Sequence, residues 1–277
     1  MRILILVLFA LSAVSCTIIK RDTSIVISGS DIGMNLKNIP SVIPEQQEYE
    51  VVIKKQVLHP IDNRVMQTEA VKASYRVLDN DSVEWYNVGL AQIKDLRQEP
   101  VEVTAWPEFE GWTYKTKNAE LLKEEVYEDI PLRKREWARM LSADAAAMHE
   151  MGWYILDSLE FQKEFTPRLM ENLDIALEDS YTFASTYLKY IWSGFTRHNG
   201  EWCAVVKFES LFNPAEIVHQ GVTVMKGRSM YYGEWWVSLE DRQIEYSEMV
   251  EDVVFNEYHP ETRLFDMQRI VTFNKVK

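Results

Sequence analysis

The sequence predicts an α+β fold: mostly antiparallel β-sheet, as a curved sheet or half-barrel, with one principal amphipathic helix packed on one face. Three observations carry this. Strand-like alternation fills both ends of the chain, a single clear helical stripe lies between them, and turn residues close neighbouring strands into hairpins. A chain of 277 residues with 47% apolar content can bury one substantial core, so residues 49–277 are read as a single domain.

Glu50–Leu58 is the first strand and ends at His59-Pro60. Ala70–Leu78 and Ser82–Val88 form a hairpin across Asp79-Asn80-Asp81, the second arm alternating Val83 and Trp85 with Glu84 and Tyr86. Val101–Ala105 alternates likewise until Trp106-Pro107, because proline cannot donate to a ladder. The helix, Leu132–Met151, begins after Pro131, a favoured first-turn residue. Trp137, Met140, Leu141, Ala145 and Met148 fall at helical spacing as a stripe for the sheet. Arg133, Lys134 and Arg135 stand where the helix dipole disfavours cations, and the acidic run Glu120–Asp129 is read as offsetting them. Arg168–Ala176 has the pattern of a second, short helix. Tyr187–Thr196 and Glu201–Glu209 form a hairpin closed by Asn199-Gly200, residues that accept the positive φ of a type I′ turn. It sets Phe195 opposite Ala204 and Ile191 opposite Phe208.

The densest signal is Val222–Val250, a hairpin turning at Asp241-Arg242. That turn pairs Leu239 with Ile244, Val237 with Tyr246, Trp235 with Glu248 and Gly233 with Val250, all on one face where Glu248 is the single charge. On the last strand, Leu264–Phe273, Arg269 is likewise the single charge among Phe265, Met267, Val271 and Phe273. A lone charge on an apolar face is costly unless paired. Three placements stay open: a buried Glu248–Arg269 structural pair, both residues in a ligand cavity lined by Trp235 and Tyr246, or another register with both exposed. On the opposite face Tyr232 and Trp236 are candidate contacts for a partner.

The chemistry-bearing residues form no recognised catalytic motif. His59, His149, His198, His219 and His259 share no metal-ligand spacing, and His59, His198 and His259 sit in turn contexts that predict solvent exposure. Ser142 and His149 lie nearly two helical turns apart, too far for a triad with Asp144. Cys203, inside Trp202–Val206, reads as a buried small hydrophobe. A formal charge of −13 disfavours nucleic acid as a partner. No cofactor or metal is expected.

Residues Met1–Ser15 are a targeting segment: Arg2 is followed by the apolar run Ile3–Leu11 and by Ala13-Val14-Ser15 directly before Cys16. This resembles the bacterial lipoprotein signal, over residues 1–16, with Ala13 where leucine is commonest. The resemblance implies that Cys16 is acylated and becomes the membrane anchor, and that residues 16–48 are a tether. It places the protein in the bacterial cell envelope, at the outer membrane. In architecture alone the chain is similar to the half-barrels of periplasmic lipoprotein carriers and sorting proteins. The leading expectation is a non-catalytic, anchored protein that binds a hydrophobic or amphipathic ligand or an envelope protein. A carboxylate-dependent glycan-directed hydrolase and a structural envelope-assembly component are the alternatives.

Overall fold

The computed structural model describes residues 36–39, 47–59, 61–79, 82–115, 124–148, 155–167, 173–176, 180–183, 188–219, 221–258 and 263–276. The signal segment, Cys16, His149 and His259 lie outside these residues. The strands are β1 (Glu48–Leu58), β2 (Val65–Asp79), β3 (Ser82–Gln92), β4 (Thr104–Ala105), β5 (Trp112–Lys115), β6 (Glu164–Phe165), β7 (Leu173–Ala176), β8 (Ser180–Phe183), β9 (Lys189–His198), β10 (Glu201–His219), β11 (Val222–Ser238), β12 (Ile244–Glu257) and β13 (Arg263–Lys275). The principal helix, α1, spans Leu132–Ala146.

All of these strands join one curved, unclosed antiparallel sheet in the order β4-β3-β2-β1-β13-β12-β11-β10. There β10 changes partner, pairing with β9 along 201–209 and with β8 along 215–218. The change is made at a bulge. Buried Asn213 donates to the carbonyls of Ser210 (3.3 Å) and Ser229 (3.1 Å), and accepts from the Ser210 hydroxyl at 2.7 Å. The register shift there admits Pro214, so β10 runs ten residues past the expected end at Glu209.

Alternation along each strand gives the sheet two faces, and α1 packs on the inner one. Trp137, Leu141, Ala145 and Met148 are buried, in contact with a core that includes Val51, Ile53, Val71, Trp85, Trp235 and Phe273. The α1 stripe is therefore as expected; the α-helical hydrogen bonding runs to Ala146 and continues as a π-turn over 147–148, and the expected end at Met151 lies outside the described residues. Its basic first turn is satisfied locally. Lys134 pairs with Glu108 and sits 4.8 Å from the Trp106 ring, and Arg135 donates to the carbonyls of Ile130 (3.0 Å) and Glu128 (3.3 Å).

Two elements differ from the sequence reading. Residues 173–176 form β7, paired with β8 from Leu173–Phe183 to Ala176–Ser180, where a short helix was expected. Pairing with a neighbouring strand outweighs weak helical periodicity over so short a segment. Of Val101–Ala105 only Thr104–Ala105 is strand, laid on Gly89 and Leu90. Gly89 permits that approach: a Cβ there would lie 2.5 Å from Val103 and 2.7 Å from the Thr104 carbonyl oxygen. Leu36, within the expected tether, is fully buried in the core, so the chain is docked on the domain well before β1.

Candidate functional site

The hairpin of β11 and β12 sets the geometry of the site, and its turn is not the two-residue one expected. Leu239–Gln243 all lie outside the ladder, Arg242 adopts φ +62°, and Val237 pairs with Ile244. Side chains hold this longer turn: the Ser238 hydroxyl accepts from the Glu240 amide at 3.1 Å, and the Asp241 carboxylate from the Gln243 amide at 2.9 Å. A bulge beside Trp236 and Val237 then places Trp236 opposite Tyr246, Trp235 opposite Ser247 and Glu234 opposite Glu248. A one-residue shift moves side chains to the other face. Glu248 therefore shares the outer face with Trp236 and Tyr246, and the expected pairing of Trp235 with Glu248 does not occur. The β9–β10 hairpin does turn at Asn199-Gly200, with φ of +48° and +91°, and puts Phe195 opposite Ala204. A bulge between Val205 and Val206 then sets Phe208 opposite Tyr190 instead of Ile191.

The six residues singled out by sequence consequently separate. Trp235 is buried in the inner core, stacked on Tyr190 at 5.5 Å and tilted on Phe208 at 4.8 Å. Trp236 and Tyr246 belong to a small outer cluster with Cys203 and Val205, their rings 4.5 Å apart. The Tyr246 hydroxyl donates to Glu248 at 3.0 Å and the Trp236 indole to Glu234 at 3.1 Å. Tyr232 is exposed, whereas Trp236 is buried, so the two do not form one open platform. His198, expected in solvent, packs edge-on to Trp236 at 5.3 Å and bonds Asn274 at 2.9 Å. Burial lowers its pKa below the usual histidine value, against the opposing pull of the Asn274 bond and Glu201.

Arg269 lies on the inner face and is the centre of a charged seam. Register places Glu69, Lys55, Arg269, Glu251, Tyr231 and Ser210 in one row across β2, β1, β13, β12, β11 and β10. Lys55 and Arg269 are direct neighbours, a repulsive placement relieved from both sides. Lys55 lies 3.2 Å from Glu69 and 3.5 Å from Glu136 of α1, with its ammonium 4.5 Å from the Trp137 ring centre. Arg269 pairs with Glu251 and makes a two-pronged contact with Asp144 of α1, at 2.7 and 3.1 Å. Glu251 also accepts from the Ser229 hydroxyl at 2.5 Å. Burial works against the charge on Arg269, yet Asp144 and Glu251 outweigh it and hold its pKa above the ordinary value. The partners of Arg269 are thus Asp144 and Glu251, not Glu248. Asp144 had a sequence signal, since it is the charge inside the apolar stripe between Leu141 and Ala145.

The seam divides the inner face. On the α1 side the next row is Val71, Ile53, Val271, Met249, Gly233 and Phe208, part of the main core. On the other side come Val57, Met267 and Val253, then Phe265, Phe255 and Ala215. These last residues, with Met225, form a second apolar cluster separate from the main core. Phe255, Val253 and Ala215 are buried, while Met225, Phe265 and Met267 stay partly exposed.

A second charged group lies at the strand ends nearest α1's core. Glu201, Asp241 and Glu245 bring carboxylate oxygens within 4.8 Å of one another. Lys275 occupies this acidic site, 2.5 Å from Glu245 and 3.7 Å from Asp241, while Ser238 donates to Glu201 at 2.9 Å. Burial raises the Glu245 pKa, with Lys275 opposing. A lysine against two of the three carboxylates, with Ser238 on the third, is a structural solution to their mutual repulsion. Cys203 beside it is fully buried, and burial pushes its thiol up to about 12, away from the thiolate form that reacts. The chain matches no protein-family profile and no curated protein.

Proposed function

We propose that the protein is a cell-envelope lipoprotein, anchored at the outer membrane through Cys16, that binds a hydrophobic or amphipathic ligand without catalysing a reaction. The observation that carries this reading is the second apolar cluster. Met225, Phe265 and Met267 line the inner face beyond the charged seam, outside the core that α1 covers. Two methionines and aromatic rings make an adaptable apolar surface suited to a flexible chain.

The anchor reading rests on the Arg2–Cys16 sequence. Among the described residues no helix is long and apolar enough to cross a membrane. The hydrolase alternative receives less support, because among the described residues the carboxylate group of Glu201, Asp241 and Glu245 is held by Lys275.

Titration with N-phenyl-1-naphthylamine, an apolar dye that brightens out of water, tests the ligand reading. Saturable brightening is expected, weakened at least tenfold (about 1.4 kcal/mol) by Met267→Asp. Absence of saturable brightening in the unsubstituted protein would sink it.

A further inference from the structure

On the outer face, alternation brings apolar residues of four strands side by side. Register lays Tyr232, Val250 and Ile270 in one row across β11, β12 and β13. The next row begins at the bulge in β10. There Ser210 faces Tyr231 and Asn213 faces Ser229, so Leu211 and Phe212 both stand opposite Met230. Tyr232 is 48% exposed, Leu211 49% and Phe212 51%, while Met230, Val250 and Ile270 are partly exposed. Beyond Ile270 the first row continues to Lys54, which Glu99 of the loop after β3 holds at 2.7 Å. One exposed apolar side chain needs no explanation. Six that adjoin on one face form a patch of the kind that marks an interaction surface.

We propose that this outer patch docks a basic amphipathic helix of a partner protein. Charge selects the partner. Glu234 and Glu248, opposite each other, flank the Tyr232 row on one side, and Asp252 and Asp266 lie on the other. The cations among them are Lys207, opposite Glu234, and Arg228, opposite Val254. Burial and the neighbouring Asp252 hold the Asp266 carboxyl above its ordinary pKa, a repulsion that a cation laid beside them relieves. A second copy of the chain, with its formal charge of −13, would set this acidic rim against itself. Dimensions fit a helix. Strands stand about 4.8 Å apart, so from Phe212 on β10 to Ile270 on β13 the patch spans about 14 Å, the rise of roughly ten helical residues. A helix laid on a sheet face is also how α1 closes the inner side. The contact lies on the face opposite the ligand site and is independent of it.

The test titrates the full chain into a fluorescein-labelled synthetic peptide with leucines on one helical face and lysines on the other, read by anisotropy. Saturable binding that weakens as salt rises is expected. Tyr232→Ser combined with Phe212→Ser, both at exposed positions, is expected to weaken it at least tenfold with thermal unfolding unchanged. Asp252→Lys is expected to weaken it about threefold or more. Met267→Asp, on the inner face, leaves the affinity unchanged, and a peptide with glutamates in place of the lysines does not bind. Binding lost in Met267→Asp but kept in the outer-face double variant puts the peptide on the inner face and overturns the proposal. Equal binding of the glutamate peptide, or no saturable binding of the lysine peptide, overturns it too. Dimerisation that grows with protein concentration and is removed by Tyr232→Ser identifies a second copy as the occupant and likewise overturns it.

Discussion

Arg269 on β13 holds Asp144 of α1 through both terminal nitrogens, at 2.7 and 3.1 Å, and with Lys55–Glu136 this pair ties the helix to the sheet at the seam. Removing one partner leaves the other charge buried. Asp144→Ala is expected to destabilise the protein by about 3–5 kcal/mol, read from urea unfolding. Replacing the whole charged group, as Asp144→Leu with Arg269→Met and Glu251→Gln, is expected to recover much of that loss. Equal destabilisation by the single and triple variants would contradict the pairing.

Glu248 stands on the outer face beside Tyr246, and its removal should matter little. Glu248→Gln is expected to change stability by about 1 kcal/mol or less. A loss of several kcal/mol in the same unfolding measurement would place it back among buried charges.

Leu36 is buried in the main core although it lies far ahead of β1. Leu36→Ala is expected to cost about 2–5 kcal/mol and to expose the preceding chain to limited proteolysis. A variant with unchanged stability would show that the tether is not docked there.

His198 gives a pH dependence whose sign is fixed by burial. Its folded pKa lies below the usual histidine value near 6.5, so the unfolded chain takes up the proton more readily. Its contribution is fully present above pH of about 6.5 and is lost as pH falls through the folded pKa. Thermal unfolding between pH 7.5 and 5 is expected to show a decline that is shallower in His198→Gln. Parallel profiles for the two proteins would refute this assignment.

The fold was legible where local signals suffice. Trp137, Leu141 and Ala145 mark the buried side of α1 by spacing alone, and Asn199-Gly200 marks its turn by backbone conformation. The outcome for the β11–β12 hairpin was decided by groups distant in sequence or hidden in side-chain bonding. Gln243 bonds Gln47 at 2.6 Å, and Ser238 and Asp241 close a longer turn than Asp241-Arg242 would make. The resulting shift of register carried Glu248 to the outer face. Arg269 was recognisable as a charge on an apolar face, but its partner Asp144 is 125 positions away on α1, which alternation along a strand cannot reveal. The second apolar cluster likewise arises only when the registers of β13, β12 and β10 align Phe265, Phe255 and Ala215.

The ligand reading is tested most directly by methyl NMR of the methionines during titration with dodecyl maltoside below its micelle concentration. Met225 and Met267 line the second apolar cluster, whereas Met148 is buried in the α1 core. Saturable shifts at Met225 and Met267, with Met148 unmoved, are the predicted result. No shift at either residue, or equal shifts at all three, would contradict a binding site beyond the seam.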